Sequence, residues 1–191
     1  MPDYAKIYDD VFTRVKGYRS PLGSPGLRTA LRNADLIRAC GSRTLDVGCG
    51  FGYVVEALRN PPFKKSSQGC DISKVACDEA NARLGIDTVH LIQDGALPFD
   101  DTCMDLVTCF DVMEHLDGPD IIHLKDEILR VTNPGGLIIL NVSLRPSSSK
   151  DLNGESLHRT VRPPQWWDDI FSFDRYEVDR SDQEMTGFLT R

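Results

Sequence analysis

A chain of 191 residues, 40% hydrophobic and 27% charged, is long enough to bury one substantial core, and we read residues 1–191 as a single domain. A formal charge of −7 argues against nucleic-acid partners, because neutralising phosphates takes clustered Lys and Arg. No apolar run approaches membrane-spanning length, and the polar, acidic start MPDYAKIYDD is not a signal peptide, so a cytoplasmic protein away from membranes is expected.

Strands and helices alternate along the chain. Strands are predicted at about 43–47, 67–71, 88–92, 104–109, 136–142, 175–180 and 185–190. Their short, nearly continuous apolar runs suit a parallel sheet buried on both faces. Helices are predicted near 28–39, 52–59, 74–83, 119–131 and 164–171. The helix at 119–131 carries an apolar stripe (Ile121, Ile122, Leu124, Ile128, Leu129, Val131), with Asn133-Pro134-Gly135-Gly136 as its stop signal. Ser73 is the expected cap of the helix after the second strand. No helix separates the last two strands, which predicts an antiparallel, hairpin-like edge. Segments 1–27 and 143–163 are rich in Pro, Gly and Ser, lack a period, and are long enough to suggest functional loops. Six cysteines without a C-x-x-C pair read as small, reduced, mostly buried side chains, and Lys64-Lys65 as solvated loop.

The most informative stretch is Leu45-Asp46-Val47-Gly48-Cys49-Gly50-Phe51-Gly52, a strand that enters a helix through three alternate glycines. Such a turn lets backbone approach a ligand closely, and the helix start offers unpaired N–H groups to a carboxylate or phosphate. The dinucleotide fingerprint G-x-G-x-x-G does not fit, since its third glycine would fall at Tyr53. Asp71 ends the second strand about twenty residues on, where a carboxylate can accept both hydroxyls of a ribose.

LDVGCGFG resembles motif I of the class I S-adenosylmethionine-dependent methyltransferases. Asp94-Gly95-Ala96, the segment Leu97-Pro98-Phe99-Asp100-Asp101, the strand ending Phe110-Asp111-Val112-Met113-Glu114-His115-Leu116, and Asn133-Pro134-Gly135-Gly136 resemble that family's later motifs, in order, over about residues 40–145. The resemblance implies a doubly wound, mostly parallel seven-stranded α/β sheet with an antiparallel last strand. It also implies binding of S-adenosyl-L-methionine, and of the product S-adenosyl-L-homocysteine, by Asp46, Gly48, Cys49, Gly50, Gly52, Asp71, Ile72, Asp94, Gly95, Ala96, Phe110 and Asp111. Asp94 resembles the adenine contact. For Asp46 two roles stand open, a partner for the cofactor ammonium or an anchor of the glycine turn.

Methyl transfer from a sulfonium gains most from holding the reacting atoms collinear in a dry site, and an alcohol or ammonium acceptor adds a need for a general base. His158, in a segment resembling those of members acting on small polar acceptors, is the expected base; the bland reading has it bonded to a loop carbonyl. His115 is the second candidate, placed beside the adenosine or against the following helix. Asp111, Glu114, His115 and His158 also resemble the E-x-x-E-H…H cluster of metal-dependent members, with Asp111 where those have Glu. Tyr4, Tyr8, Arg14, Tyr18 and Arg19 are expected in a lid, residues 143–167 beside the acceptor, and Trp166 and Trp167 at least partly in the core. The expected reaction is methyl transfer to a small polar acceptor, with a sugar or glycan hydroxyl or amine favoured by resemblance. A metal-dependent O-methyltransferase, a non-catalytic cofactor-binding module and a nucleotide-dependent oxidoreductase are the alternatives.

Overall fold

The computed structural model describes residues 2–181 and 183–191, apart from the side chains of Lys16, Tyr18 and Leu22. Seven strands form one sheet: β1 (Arg43–Val47), β2 (Ser66–Asp71), β3 (Val89–Leu91), β4 (Met104–Phe110), β5 (Thr132–Ser143), β6 (Arg175–Asp179) and β7 (Glu184–Thr190). Their spatial order is β3-β2-β1-β4-β5-β7-β6, and only β7 runs against its neighbours β5 and β6. The helices are α1 (Tyr4–Arg14), α2 (Pro25–Arg32), α3 (Ala34–Ala39), α4 (Tyr53–Arg59), α5 (Lys74–Leu84), α6 (Gly118–Val131) and α7 (Pro164–Phe171).

Period-two alternation in the central strands separates two apolar layers. Leu45, Val47, Val107, Cys109, Ile138 and Leu140 pack with Ile121, Leu124 and Ile128 of α6 and with Trp167 and Phe171 of α7. Leu106, Phe110 and Ile139 point the other way, onto Ala30, Ile37, Val54 and Leu58. Trp167 is wholly buried and Trp166 packs at the edge of that core, as expected for the Trp pair.

Several sequence expectations change. The single helix at 28–39 is two helices broken at Asn33, whose side-chain amide donates to the Thr29 carbonyl and ends α2. Segment 1–27 is more regular than its composition suggests: Asp3 caps α1 and Ser24 caps α2 by accepting from the Lys6 and Leu27 N–H groups. Asn133-Pro134-Gly135-Gly136 does not cap α6. The helix ends at Val131 and β5 starts at once, with Pro134 and Gly135 inside a bulge where the register to β4 shifts. The strand at 175–180 is not buried on both faces; β6 is an exposed edge strand whose Arg175 lies over the Phe188 ring. Lys65 is not merely solvated: its ammonium donates to the Arg38 and Cys40 carbonyls and closes the end of α3. Ser73 caps α5 as expected, β6 and β7 pair antiparallel as expected, and the cysteines are free. No described helix is long and apolar enough to cross a membrane.

Candidate active site

Parallel strands deliver their following loops to one end of the sheet, where ligands bind in open α/β folds. There a cavity of about 900 Å³ opens, bordered by the β1, β2 and β4 ends, the β3–β4 loop, α1, the start of α2, the start of α6 and His158. In the first turn the Gly48 and Cys49 N–H groups donate to the Cys70 carbonyl at 2.8 and 3.0 Å, which bends the chain off the sheet. Gly48 has φ +71°, and a Cβ there would lie 2.3 Å from the Val112 Cγ2. Only glycine fits. Gly52 does not border the cavity. It precedes α4 with φ +73° and faces α5, where a Cβ would meet that of Ala80 at 3.3 Å.

Asp71 is buried, and its two oxygens accept from Gly50 N–H at 2.8 Å and Ser73 N–H at 2.9 Å. It is therefore the residue that holds the glycine turn. An ionised carboxylate offers about four acceptor positions, so ribose hydroxyls can still be accepted. Asp46 is buried on the neighbouring strand and accepts from the Thr108 hydroxyl at 2.6 Å while bordering the cavity. Burial pushes the Asp46 carboxyl up to about 7 and that of Asp71 up to about 6, against an ordinary value of 3.8. A positive charge placed beside them would lower both.

Cys49, Gly50, Ile72, Asp94, Gly95, Phe110 and Asp111 also border the cavity; Ala96 does not border it and is bridged to Gln93. Asp94 and Gly95 form a left-handed turn, φ +54° and +77°, beside His123 of α6. Phe110 packs against Gly26 at the start of α2. Asp111, also in a left-handed backbone, accepts from the Asn141 amide at 3.3 Å through Oδ1, while its buried Oδ2 has no partner. Burial first, then the nearby Glu184 carboxylate, raise it to about 7.

Glu114, His115 and His158 meet at the far end of the cavity, with one potential ligand atom from each all within 4.8 Å of one another. Glu114 is wholly buried: Oε1 accepts from Ser143 N–H at 3.0 Å, Oε2 is unpartnered, and burial holds its carboxyl well above the usual range. His115 Nδ1 donates to the Leu157 carbonyl at 2.8 Å, and His158 Nδ1 donates to the Arg145 carbonyl at 2.6 Å. A carbonyl can only accept, so both rings carry their proton on Nδ1 and leave an Nε2 lone pair free. His158 thus bonds a loop carbonyl, as the bland reading has it, and this same bond fixes the tautomer a base needs. Burial lowers His115 to about 4 and pulls His158 below 6.5. The two rings meet edge to face at 4.8 Å, and Tyr8 stands edge-on to His115 at 5.6 Å.

The N-terminal residues divide. Tyr4 donates its hydroxyl proton to Asp120 at 2.9 Å and accepts from Asp117 N–H at 3.0 Å, which ties α1 to the start of α6. Asp9 accepts from the Ser73 hydroxyl at 2.6 Å and from Val75 N–H at 3.2 Å at the start of α5. Arg19 pairs with Glu79 and lies over the Phe51 ring. Arg14 pairs with Asp10 on the exposed face and does not reach the cavity, and the Tyr18 side chain lies outside the described residues. The 143–163 loop is tied down where the Glu114 carbonyl accepts from the N–H groups of Arg159 and Thr160. Sequence reasoning missed Glu184, Arg145 and His123. Each comes from an element outside the motifs, and no local pattern marks it.

A family model described as a methyltransferase domain matches residues 45–140. The chain is 29% identical over 125 residues to a ubiquinone biosynthesis O-methyltransferase from Neisseria meningitidis, covering 61% of this chain and 49% of that protein. It is 33% identical over 114 residues to a demethylmenaquinone methyltransferase from Bacillus cytotoxicus, covering 56% and 47%. The chain thus spans about half the length of these curated relatives. The fold is shared, at a TM-score of 0.71 and 19% identity, with a chain of the Haloferax volcanii complex between the Trm112 methyltransferase activator and a methyltransferase, covering 96% of this chain and 95% of that one. With the motif matched over half the sequence and the strand order of the fold in place, the chain belongs to the class I S-adenosylmethionine-dependent methyltransferases.

Proposed function

We propose that this chain transfers the methyl group of S-adenosylmethionine to a small polar acceptor, with His158 as general base. One observation carries the reading: a single cavity joins the glycine turn and Asp71 at one end to two imidazoles with free Nε2 atoms at the other. The cofactor's ribose suits Asp71 and its adenine the Asp94-Gly95 turn, as the family resemblance expects, whereas the Gly48, Cys49, Gly50 and Gly52 N–H groups already donate to Cys70, Asp71 and Cys49 and are not free for its carboxylate. S-adenosylmethionine lacks a pyrophosphate, which fits a turn whose neighbouring Arg19 and Arg83 touch Phe51 without bordering the cavity, with no Lys or Arg among the described residues on the cavity wall beside it. Transfer forms a bond from the acceptor atom to the methyl carbon and breaks the carbon–sulfur bond, while the acceptor proton passes to His158 Nε2. Sugar or glycan hydroxyls and amines remain the favoured acceptor groups, and the negative charge of the chain disfavours nucleic acid. Calorimetry with S-adenosylhomocysteine and NAD tests the cofactor; binding of NAD alone overturns the reading. Transfer of labelled methyl to a small-molecule extract tests turnover and separates an enzyme from a silent binding module.

A second reading is favoured by the meeting of Glu114, His115 and His158. Histidines whose Nδ1–H is fixed by a carbonyl, beside a carboxylate with an unmet oxygen, fit a divalent ion of intermediate hardness. Asp111 stands apart from that group of three. A bound ion would supply Lewis acidity toward an acceptor oxygen. The reading predicts that EDTA abolishes turnover and that a single divalent metal restores it; full activity in EDTA removes it.

A further inference from the structure

We propose that the acceptor presents an amine, held as its ammonium by the carboxylates of Asp111, Glu114 and Glu184. This rests on the cavity being a methyl-transfer site and adds the class of acceptor. Asp111 follows β4, and Glu114 sits in the short 3₁₀ turn Met113–His115 just beyond it. Glu184 opens β7, and because β7 is antiparallel it starts where β4 and β5 end, paired with Ser143. All three border the cavity on the β4–β5–β7 side, away from Asp71 and Asp94 on the β2–β3 side. The sheet therefore separates them from the nucleoside end.

Their oxygens are not fully met. Glu114 Oε2 and Asp111 Oδ2 are buried without a partner, and Glu114 has no exposed surface. The positive charge nearby is small. Arg28 reaches Glu184 at 3.0 Å, and among the described residues Arg145, itself exposed, is the one Lys or Arg bordering the cavity. Buried carboxylate oxygens left unmet are costly, and an ammonium with three donors meets two at once, whereas an alcohol has one. The balance of the reaction is also served. The ammonium gives one proton to His158 Nε2, the freed nitrogen lone pair bonds the methyl carbon, the sulfonium sulfur takes the departing electron pair, and a methylammonium and a neutral thioether result.

The test uses the whole chain saturated with S-adenosylhomocysteine, in EDTA, titrated by calorimetry and thermal shift with n-alkylammonium ions from methyl to hexyl against the matched alcohols. We expect at least one ammonium ion to bind tenfold or more tightly than its alcohol. Glu184→Gln and Asp111→Asn should each weaken that binding fivefold or more, with far-ultraviolet circular dichroism and a cooperative thermal transition reporting that each variant is folded. If no ammonium ion outbinds its alcohol, or binding appears only after a divalent metal is added, the amine proposal is overturned. Ammonium binding by a protein that ignores S-adenosylhomocysteine would leave the carboxylate site standing and remove the methyl-transfer reading.

Discussion

Replacing Asp71 with Ala strikes the proposed cofactor site twice. In the wild type its carboxylate accepts the Gly50 and Ser73 N–H groups at 2.8 and 2.9 Å, both in partly or fully buried surroundings. Hydrogen bonds to a charged partner are worth about 1.5–3 kcal/mol each, and a buried donor left unmet costs about 1–3 kcal/mol. We therefore expect a stability loss of about 2–4 kcal/mol, below the sum because water can enter from the cavity side. Loss of the ribose bonds should independently weaken S-adenosylhomocysteine by about 2 kcal/mol, roughly thirtyfold in Kd. Urea denaturation of the free protein measures the first quantity and calorimetry the second. Asp71→Asn separates them: its single carbonyl oxygen can keep one of the two N–H groups, so stability should recover in part while affinity stays low. An Asp71→Ala variant that binds S-adenosylhomocysteine within threefold of wild type would refute the placement of the nucleoside beside this carboxylate.

Gly48→Ala should destabilise the protein by about 2–5 kcal/mol, the sum of a left-handed conformation for a residue with a Cβ and a clash with Val112, read by urea denaturation. An unchanged midpoint would contradict the turn geometry. His158→Ala should depress kcat ~10²-fold or more with little change in S-adenosylhomocysteine affinity. Because burial pulls the His158 imidazole below 6.5, the wild-type rate should fall only at pH values under 6.5; a limb above 7 would point to another base. Burial raises the Asp46 and Asp71 carboxyls to about 7 and about 6, so each keeps its proton in the folded, empty protein at pH values where the unfolded chain has lost it. Their contribution to stability is therefore complete below the unfolded value near 3.8 and declines as pH rises through 6 to 7. A cationic cofactor reverses the shift, so S-adenosylmethionine should bind more tightly from pH 5.5 to 7.5 and release protons near pH 6.5; equal binding enthalpies in buffers of different ionisation heat would contradict this.

The family was legible in one dimension because its decisive residues are local. Gly48 and Gly50 lie in one turn, and the carboxylate ending the next strand follows from the βαβ repeat, so spacing alone locates Asp71. The alternation of strands with helices likewise specified the parallel sheet, and the missing helix between the last two strands the antiparallel final pair. Propensity misled where contacts compete with it: Asn133-Pro134-Gly135-Gly136 reads as a helix stop, yet pairing with β4 makes it a bulged strand. Gly52 reads as a ligand-facing glycine, although helix packing against Ala80 explains it. The Glu114–His115–His158 end of the cavity was decided only by folding. Glu184 reaches Asp111 and Glu114 because β7 runs backwards beside β5, and His158 meets His115 because the 143–163 loop is tied to the Glu114 carbonyl. Which groups face each other across a cavity depends on strand order and loop closure, and neither leaves a periodic trace in the chain.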